Sequence, residues 1–263
     1  MNTAAAYELV TTTTPFPLTI AIPRSRRAVV TMSGGIDSAV LARLLTLLGV
    51  EVVGFFADYG QTNRDVTYRM VERQAAAFGI GKVITQRLDY HWSQASILHG
   101  KFVDEGITPD NVYQVDVKST SWVPARNAVI MLMAGGLASE LGIDSVYASF
   151  QFDTVEWKTW DALPAIDRSL FGGSDLTPDF MERLNALAPM CYKTPIVFRA
   201  PFVSNRLNVE HITALGASCG VNFDQTYSCR YALGDDHDQP CGTCEQCVIR
   251  EQRLSSLNRI TPQ

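Results

Sequence analysis

No apolar run in this chain approaches the ~20 residues that a membrane-spanning helix needs, and an excess of basic residues is missing too. Twenty-two lysines and arginines stand against 27 aspartates and glutamates, for a formal net charge of −5 and a pI near 5.4. That balance supplies no global field to recruit nucleic acid or a membrane surface. The first 190 residues contain no cysteine, whereas four of the six cysteines crowd between Cys229 and Cys247. A secreted disulfide framework spreads its cysteines along a short chain, so the clustering points to metal and to a reducing, cytoplasmic setting. No lysine or arginine precedes Arg24, and the opening residues lack the single apolar core of a signal peptide. They read as an N-terminal arm of the mature protein, residues 1–27, in which "PLTIAI" suits an edge strand and "TTTTP" a loop. No internal repeat or low-complexity tract occurs beyond those four threonines.

What is present is enough apolar material for a full core: 46% of 263 residues, suited to one α/β domain with a small appendage. A short apolar run over 28–32 reads as a buried strand. It is followed by helical spacing at Val40, Leu41, Leu44, Leu45, Leu47 and Leu48 that ends at Gly49. Strands over 50–57 and 82–88 alternate with a helix over 66–78, which implies right-handed crossovers and a parallel sheet covered on both faces. Weak periodicity marks 89–121 as a long loop region. Helices are expected over 125–141, 178–187, 209–216 and about 245–257, with a strand over 145–150. The main domain is read as residues 28–228 and the cysteine-rich tail as 229–263.

The turn between the first strong strand and its helix is "SGGIDS". Backbone N–H groups at a helix N-terminus favour an anion, and Gly34 and Gly35 let a phosphate approach without a Cβ in the way. Ser33 and Ser38 add hydroxyl donors. Asp37 repels a phosphate unless a divalent cation lies between them, which makes it a candidate for organising Mg2+ on a polyphosphate; the bland alternative is a helix N-cap. No lysine completes a Walker A pattern, and adjacent glycines rule out G-x-G-x-x-G. In the tail, Cys229, Cys241, Cys244 and Cys247 are separated by eleven, two and two residues. Four thiolates close a tetrahedral shell, so the reading is a structural Zn2+ site that pins the tail, with an iron–sulfur or redox cluster as the rival. His237 is a possible intruder in a shell that four cysteines already complete, and Cys191 and Cys219 read as plain core or surface thiols.

"SGGIDS" resembles the PP-loop of the N-type ATP pyrophosphatases, which cleave ATP between the α and β phosphates. The resemblance implies the adenine-nucleotide α-hydrolase fold and adenylation of a substrate oxygen, with ATP and Mg2+ as cofactors. Adding the tail "CGTCEQCVIR", which continues to Arg250, and "WVPARN" over 122–127, the chain is similar to the 7-cyano-7-deazaguanine synthase (QueC) family. "RAPFVSNR" over 199–206 resembles that family's T-P-L…N-K segment, with Arg206 for lysine. The resemblance runs from about Val29 to Arg250. It implies an ATP-dependent ligase that activates 7-carboxy-7-deazaguanine, aminates it to an amide and dehydrates this to a nitrile, as a homodimer. Ser33, Gly34, Gly35, Asp37, Ser38 and Asn127 would hold the nucleotide, with Asp37 and Arg126 serving the reaction. Asp153 and Asp175 would face the deazaguanine.

Three departures qualify this. Where the family has Y-G-Q-R-H-x-x-E, Thr62, Asn63 and Val66 replace Arg, His and Glu. The D-x-S-G-Y-P-D-C-R pattern is broken: Asp153 and Asp175 match its aspartates, Leu176 and Thr177 stand for Cys and Arg, and 154–174 lengthens the interval. Ala125 replaces the glycine of V-P-G-R-N. A lost histidine and cysteine remove groups that move protons or attack covalently. The alternatives are therefore a divergent member that couples the activated base to an amine of another molecule, such as a protein acceptor in an antiviral defence operon, tRNA thiolation, or a non-catalytic zinc-binding interaction module. The last of these predicts no ATP binding.

Overall fold

The computed structural model describes residues 7–13, 15–89, 123–151, 161–162, 175–230, 232–233 and 239–260. The chain opens with β1 (Tyr7–Thr12) and β2 (Leu18–Pro23), an antiparallel pair, followed by β3 (Arg27–Thr31), α1 (Ile36–Leu47), β4 (Glu51–Asp58), α2 (Arg64–Phe78) and β5 (Lys82–Arg87). Next come α3 (Arg126–Glu140), β6 (Ser145–Tyr147), α4 (Pro178–Cys191), β7 (Val197–Arg199), the short α5 (Pro201–Ser204), α6 (Val209–Ser218), a minimal hairpin of β8 (Ala232–Leu233) and β9 (Gln239–Pro240), and α7 (Glu245–Ile260). Among the described residues, five strands form a parallel sheet in the order β5-β4-β3-β6-β7. The central strand β3 crosses to β4 on one side and to β6 on the other, so the chain reverses its direction of growth there. Ligands of open α/β sheets bind beyond the carboxyl ends of strands at such a reversal.

Side-chain alternation along β3 builds the two layers. Ala28, Val30 and Met32 join the core under α1, α2 and α6, while Val29 joins the opposite core under α3 and α4. β4 divides the same way, with Val52 and Phe56 on the first face and Val53, Phe55 and Ala57 on the second. This is the period-two geometry of a strand buried on both faces.

The N-terminal hairpin packs into this frame. Leu18, Ile20 and Ile22 are fully buried in the α1-side core, each burial being worth about 2 kcal/mol. The Tyr147 hydroxyl donates to the Ala21 carbonyl at 2.5 Å, and burial raises its pKa. "PLTIAI" is thus a strand, but its partner is β1, which takes in two of the four threonines. Thr11 and Thr19 hydroxyls meet at 3.0 Å across the pair. Their β-branched side chains suit a strand as well as a loop. The expected helices and strands occur with ends shifted by a few residues. α4 runs on to Cys191 despite Pro189, which sits in the last turn and removes one hydrogen bond without breaking the earlier ones. The three-residue β7 carried no periodic signal.

Candidate active site

β3 delivers its chain into a turn whose residues satisfy one another before α1 begins. The Ser33 amide donates to Ser38 Oγ at 3.1 Å, the two serine hydroxyls lie 3.1 Å apart, and Ser38 Oγ donates to the Gly35 carbonyl at 3.3 Å. Gly34 has φ +77°, and a Cβ there would stand 2.4 Å from the Thr67 carbonyl oxygen of α2. Only glycine satisfies both the left-handed backbone and this close approach. The turn is also held from below. Gly34's carbonyl accepts from the Tyr227 amide at 2.9 Å and from Gln74 Nε2 at 3.2 Å, and Gln74 also donates to the Gln225 carbonyl at 2.8 Å.

In front of the turn lies a cleft of about 470 Å³. Ser33, Gly35 and Asp37 line one wall, Arg126, Asn127 and Leu176 another, and Tyr227 with Arg230 and Arg253 of the tail a third. Two polar atoms in its lining, Arg230 Nη1 and Gln151 Oε1, are buried without a partner among the described residues. A buried donor and acceptor left unpaired cost about 1–3 kcal/mol each, and a polar ligand in the cleft would relieve that. The lining suits a nucleotide: hydroxyls and a helix N-terminus for phosphate, guanidinium groups for charge, and one carboxylate of the kind that shares a magnesium ion with phosphates.

Asp37 does not cap α1, whose N-cap is Gly35 without a side-chain bond. Its Oδ1 accepts from Arg253 Nη2 at 2.5 Å. Arg253 is 8% exposed, and its Nε donates to Thr213 Oγ1 at 2.8 Å. One turn earlier on α7, Arg250 donates to Thr226 Oγ1 and the Phe223 carbonyl, both at 2.6 Å. Burial, reinforced by Arg253's charge, depresses the Arg250 pKa.

Across the cleft, Arg126 stacks over the Tyr59 ring at 5.4 Å, and its Nε donates to Asn127 Oδ1 at 3.3 Å. Asp175 closes this group beside Asn127 at the start of α3. Burial raises its pKa, with the Arg126 charge and the Asn127 bonds working against that rise. Arg126, Asn127 and Asp175, named separately in the sequence, are therefore one cluster. Asp153 lies outside the described residues, as do His237 and most of 154–174. Ala125, the residue before α3, has φ +59°, so alanine occupies a left-handed position that glycine fills without strain. Two of the three substituted residues after β4 face the tail: Asn63 Nδ2 donates to the Cys229 carbonyl at 2.7 Å and Thr62 Oγ1 to the Arg230 carbonyl at 3.1 Å.

The four tail sulfurs lie within 4.8 Å of one another, with Sγ···Sγ distances of 3.5, 3.6, 3.9 and 3.9 Å for four of the pairs. Tetrahedral thiolate ligation at ~2.3 Å places sulfurs about 3.8 Å apart, so the set fits one four-coordinate metal ion. Cys191 is exposed and Cys219 half-buried, both outside the set. No helix among the described residues is long and apolar enough to cross a membrane.

The family model described as "Queuosine biosynthesis protein QueC" matches residues 27–258. The chain belongs to the QueC family. Relatives include the 7-cyano-7-deazaguanine synthase of Methanothrix thermoacetophila, 31% identical over 232 residues that cover 86% of this chain and 92% of that one. The enzyme of the same name from Halobacterium salinarum is 30% identical over 242 residues, covering 90% and 95%. Among solved structures, the U34-tRNA thiolase NcsA from Methanococcus maripaludis with its [4Fe-4S] cluster superposes with a TM-score of 0.45 at 13% identity, covering 89% of this chain and 72% of that one. The QueC match begins at the edge of β3 and takes in α7, so the cleft and all three of its walls fall inside it. β1 and β2 precede it.

Sequence reasoning missed Arg230 and Arg253. Arg253 carried one usable signal: it follows Arg250 by three residues, which puts both guanidinium groups on one face of the tail helix. Arg230 carried none beyond adjacency to Cys229.

Proposed function

We propose that this QueC-family protein is an ATP-dependent carbon–nitrogen ligase that adenylates the carboxylate of 7-carboxy-7-deazaguanine. The observation that supports this is one cleft lined by Ser33, Gly35 and Asp37 of the turn on one wall and by Arg126 and Asn127, with Asp175 beside them, on another. Ser33, Gly34, Gly35 and Ser38 bind the ATP phosphates, with Asn127 beside the nucleotide. Asp37 shares Mg2+ with the phosphates, and Arg126 orients the substrate carboxylate or an α-phosphate oxygen. Asp175, and Asp153 with it, recognise the base by accepting hydrogen bonds from its ring and exocyclic nitrogens. Zn2+ is the metal of Cys229, Cys241, Cys244 and Cys247. It is structural, since four thiolates leave no open position.

The substrate carboxylate oxygen attacks the α-phosphorus, the bond to the bridging oxygen of the β-phosphate breaks, and pyrophosphate leaves. An amine then adds to the acyl carbon, AMP departs with the former carboxylate oxygen, and the amine proton is released. The protein's share is alignment and charge neutralisation. Pyrophosphate exchange into ATP tests the first half: it must depend on the deazaguanine carboxylate, and its absence sinks the proposal. Mass spectrometry of the products decides the acceptor. A free nitrile or amide identifies ammonia as the amine. A deazaguanine adduct on a co-purified protein identifies the conjugating alternative, which the replacements at Thr62, Asn63, Leu176 and Thr177 keep in view.

A further inference from the structure

Arg253 belongs to no family motif quoted above, yet its guanidinium is the most direct charged contact that the turn residues make. Its carrier, α7, has Cys247 in its first turn and reaches Arg253 six residues later, about 9 Å along the axis. The cysteine cluster, the Arg250 bonds to Phe223 and Thr226, and the Tyr227–Gly34 bond fix this helix against the turn. Arg253 is buried, with Nε held by Thr213 and Nη2 on Asp37, and it lines the same cleft as Ser33 and Gly35. A divalent cation ligated by Asp37 sets a second positive charge beside the guanidinium held at 2.5 Å on Oδ1, and the two cations repel each other. A phosphate beside the cation offers Arg253 a replacement anion in the same cleft.

We infer that Arg253 is a phosphate-binding residue that exchanges partners: when ATP and Mg2+ enter together, Asp37 turns to the cation and Arg253 to a phosphate oxygen. It takes over the charge that a Walker-type lysine supplies elsewhere. The inference rests on the ATP-binding reading above. It requires that the divalent ion and ATP bind with positive coupling, because the ion alone must compete with Arg253 for Asp37.

The test uses the full-length metal-loaded protein, Arg253→Gln and Arg253→Lys. It reads ATP affinity with saturating Mg2+ by calorimetry, and binding of Mn2+ without nucleotide by electron paramagnetic resonance. Arg253→Gln is expected to weaken ATP by roughly 10- to 100-fold, the loss of one charge-assisted bond, and at the same time to tighten Mn2+ alone severalfold. Arg253→Lys keeps a charge and is expected to recover most of the ATP affinity. A purely structural Arg253 would weaken both ligands together. It would also make lysine as damaging as glutamine, and either result overturns the inference. If Arg253→Gln does not fold, the lysine variant and Asp37→Asn decide. Asp37→Asn frees Arg253 and must bind Mg2+-free ATP more tightly than wild type, and an unchanged or weaker affinity overturns the inference. Absence of ATP binding by the wild-type protein would instead remove the underlying nucleotide reading.

Discussion

Gly34 and Ala125 each adjoin a lining residue of the cleft, on different walls, and both hold a left-handed backbone, but only one of them is a glycine. At Gly34 the geometry is reinforced from every side: Thr67 leaves no room for a Cβ, Tyr227 and Gln74 donate to its carbonyl, and Arg253 anchors the next carboxylate. At Ala125 the chain accepts strain of about 1–2 kcal/mol. The neighbouring Arg126, Asn127 and Asp175 are held mainly by one another. The phosphate wall is a buried interlock of α1, α2 and the tail. The opposite wall joins the first turn of α3 to the residues just before α4. The departures at Ala125, Leu176 and Thr177 lie on this second wall, whereas Thr62, Asn63 and Val66 lie on the side of α2 and the tail, where Thr62 and Asn63 add bonds to the interlock.

Breaking the interlock should have the largest effect. Cys244→Ser is expected to lose the bound metal, read as a fall from about one equivalent to near none by mass spectrometry of the metal. Because a structural metal site is folding free energy, stability should drop by at least about 3 kcal/mol and ATP binding should go with it. Retained ATP affinity would detach the tail from the phosphate wall. Next in size, Gly34→Ala should leave a folded protein whose ATP affinity falls roughly 100-fold, the cost of displacing a binding backbone by about an ångström. An affinity within threefold of wild type would mean that the turn does not bind phosphate.

The matching change on the other wall should act in the opposite direction. Ala125→Gly removes left-handed strain but frees the unfolded chain, for a net gain of about 0.5–1 kcal/mol, or roughly 2–3 °C in Tm. Its ATP affinity should be unchanged. A lower Tm would show that the alanine side chain contributes packing that outweighs its strain.

The smallest effect concerns pH. Burial raises the Asp175 pKa above its ordinary value, so the folded state holds that proton more tightly than the unfolded chain does. The resulting penalty is full above the folded pKa and is relieved as pH falls through it. Asp175→Asn should therefore melt slightly above wild type at pH 7, with the gap shrinking toward about pH 4. A gap constant across that range would place the carboxylate's charge outside the stability balance.

The phosphate wall was far more legible in the sequence than the other. Strand, adjacent glycines and helix are contiguous, and local rules determine them; the cysteine spacing of two and two likewise states its own geometry. The parallel sheet followed from alternating periods. What could not be read is what long-range packing creates. Asp37's partner lies 216 residues away on α7, and Asp175 reaches the start of α3 only once α4 has packed. The replaced Thr62 and Asn63 looked like lost catalytic groups, whereas their side chains bond the cysteine loop. β1 was hidden because threonines serve a hairpin strand and a loop equally well, and three-residue β7 is too short to show a period.

The central claim is that a substrate carboxylate attacks the α-phosphorus of ATP bound at the Ser33–Ser38 turn. The most direct measurement supplies 7-carboxy-7-deazaguanine labelled with 18O in its carboxylate, together with ATP, Mg2+ and ammonia, and weighs the released nucleotide. The account predicts AMP carrying one 18O atom, with loss of that product in Gly34→Ala. Unlabelled AMP, or ADP as the product, would contradict it.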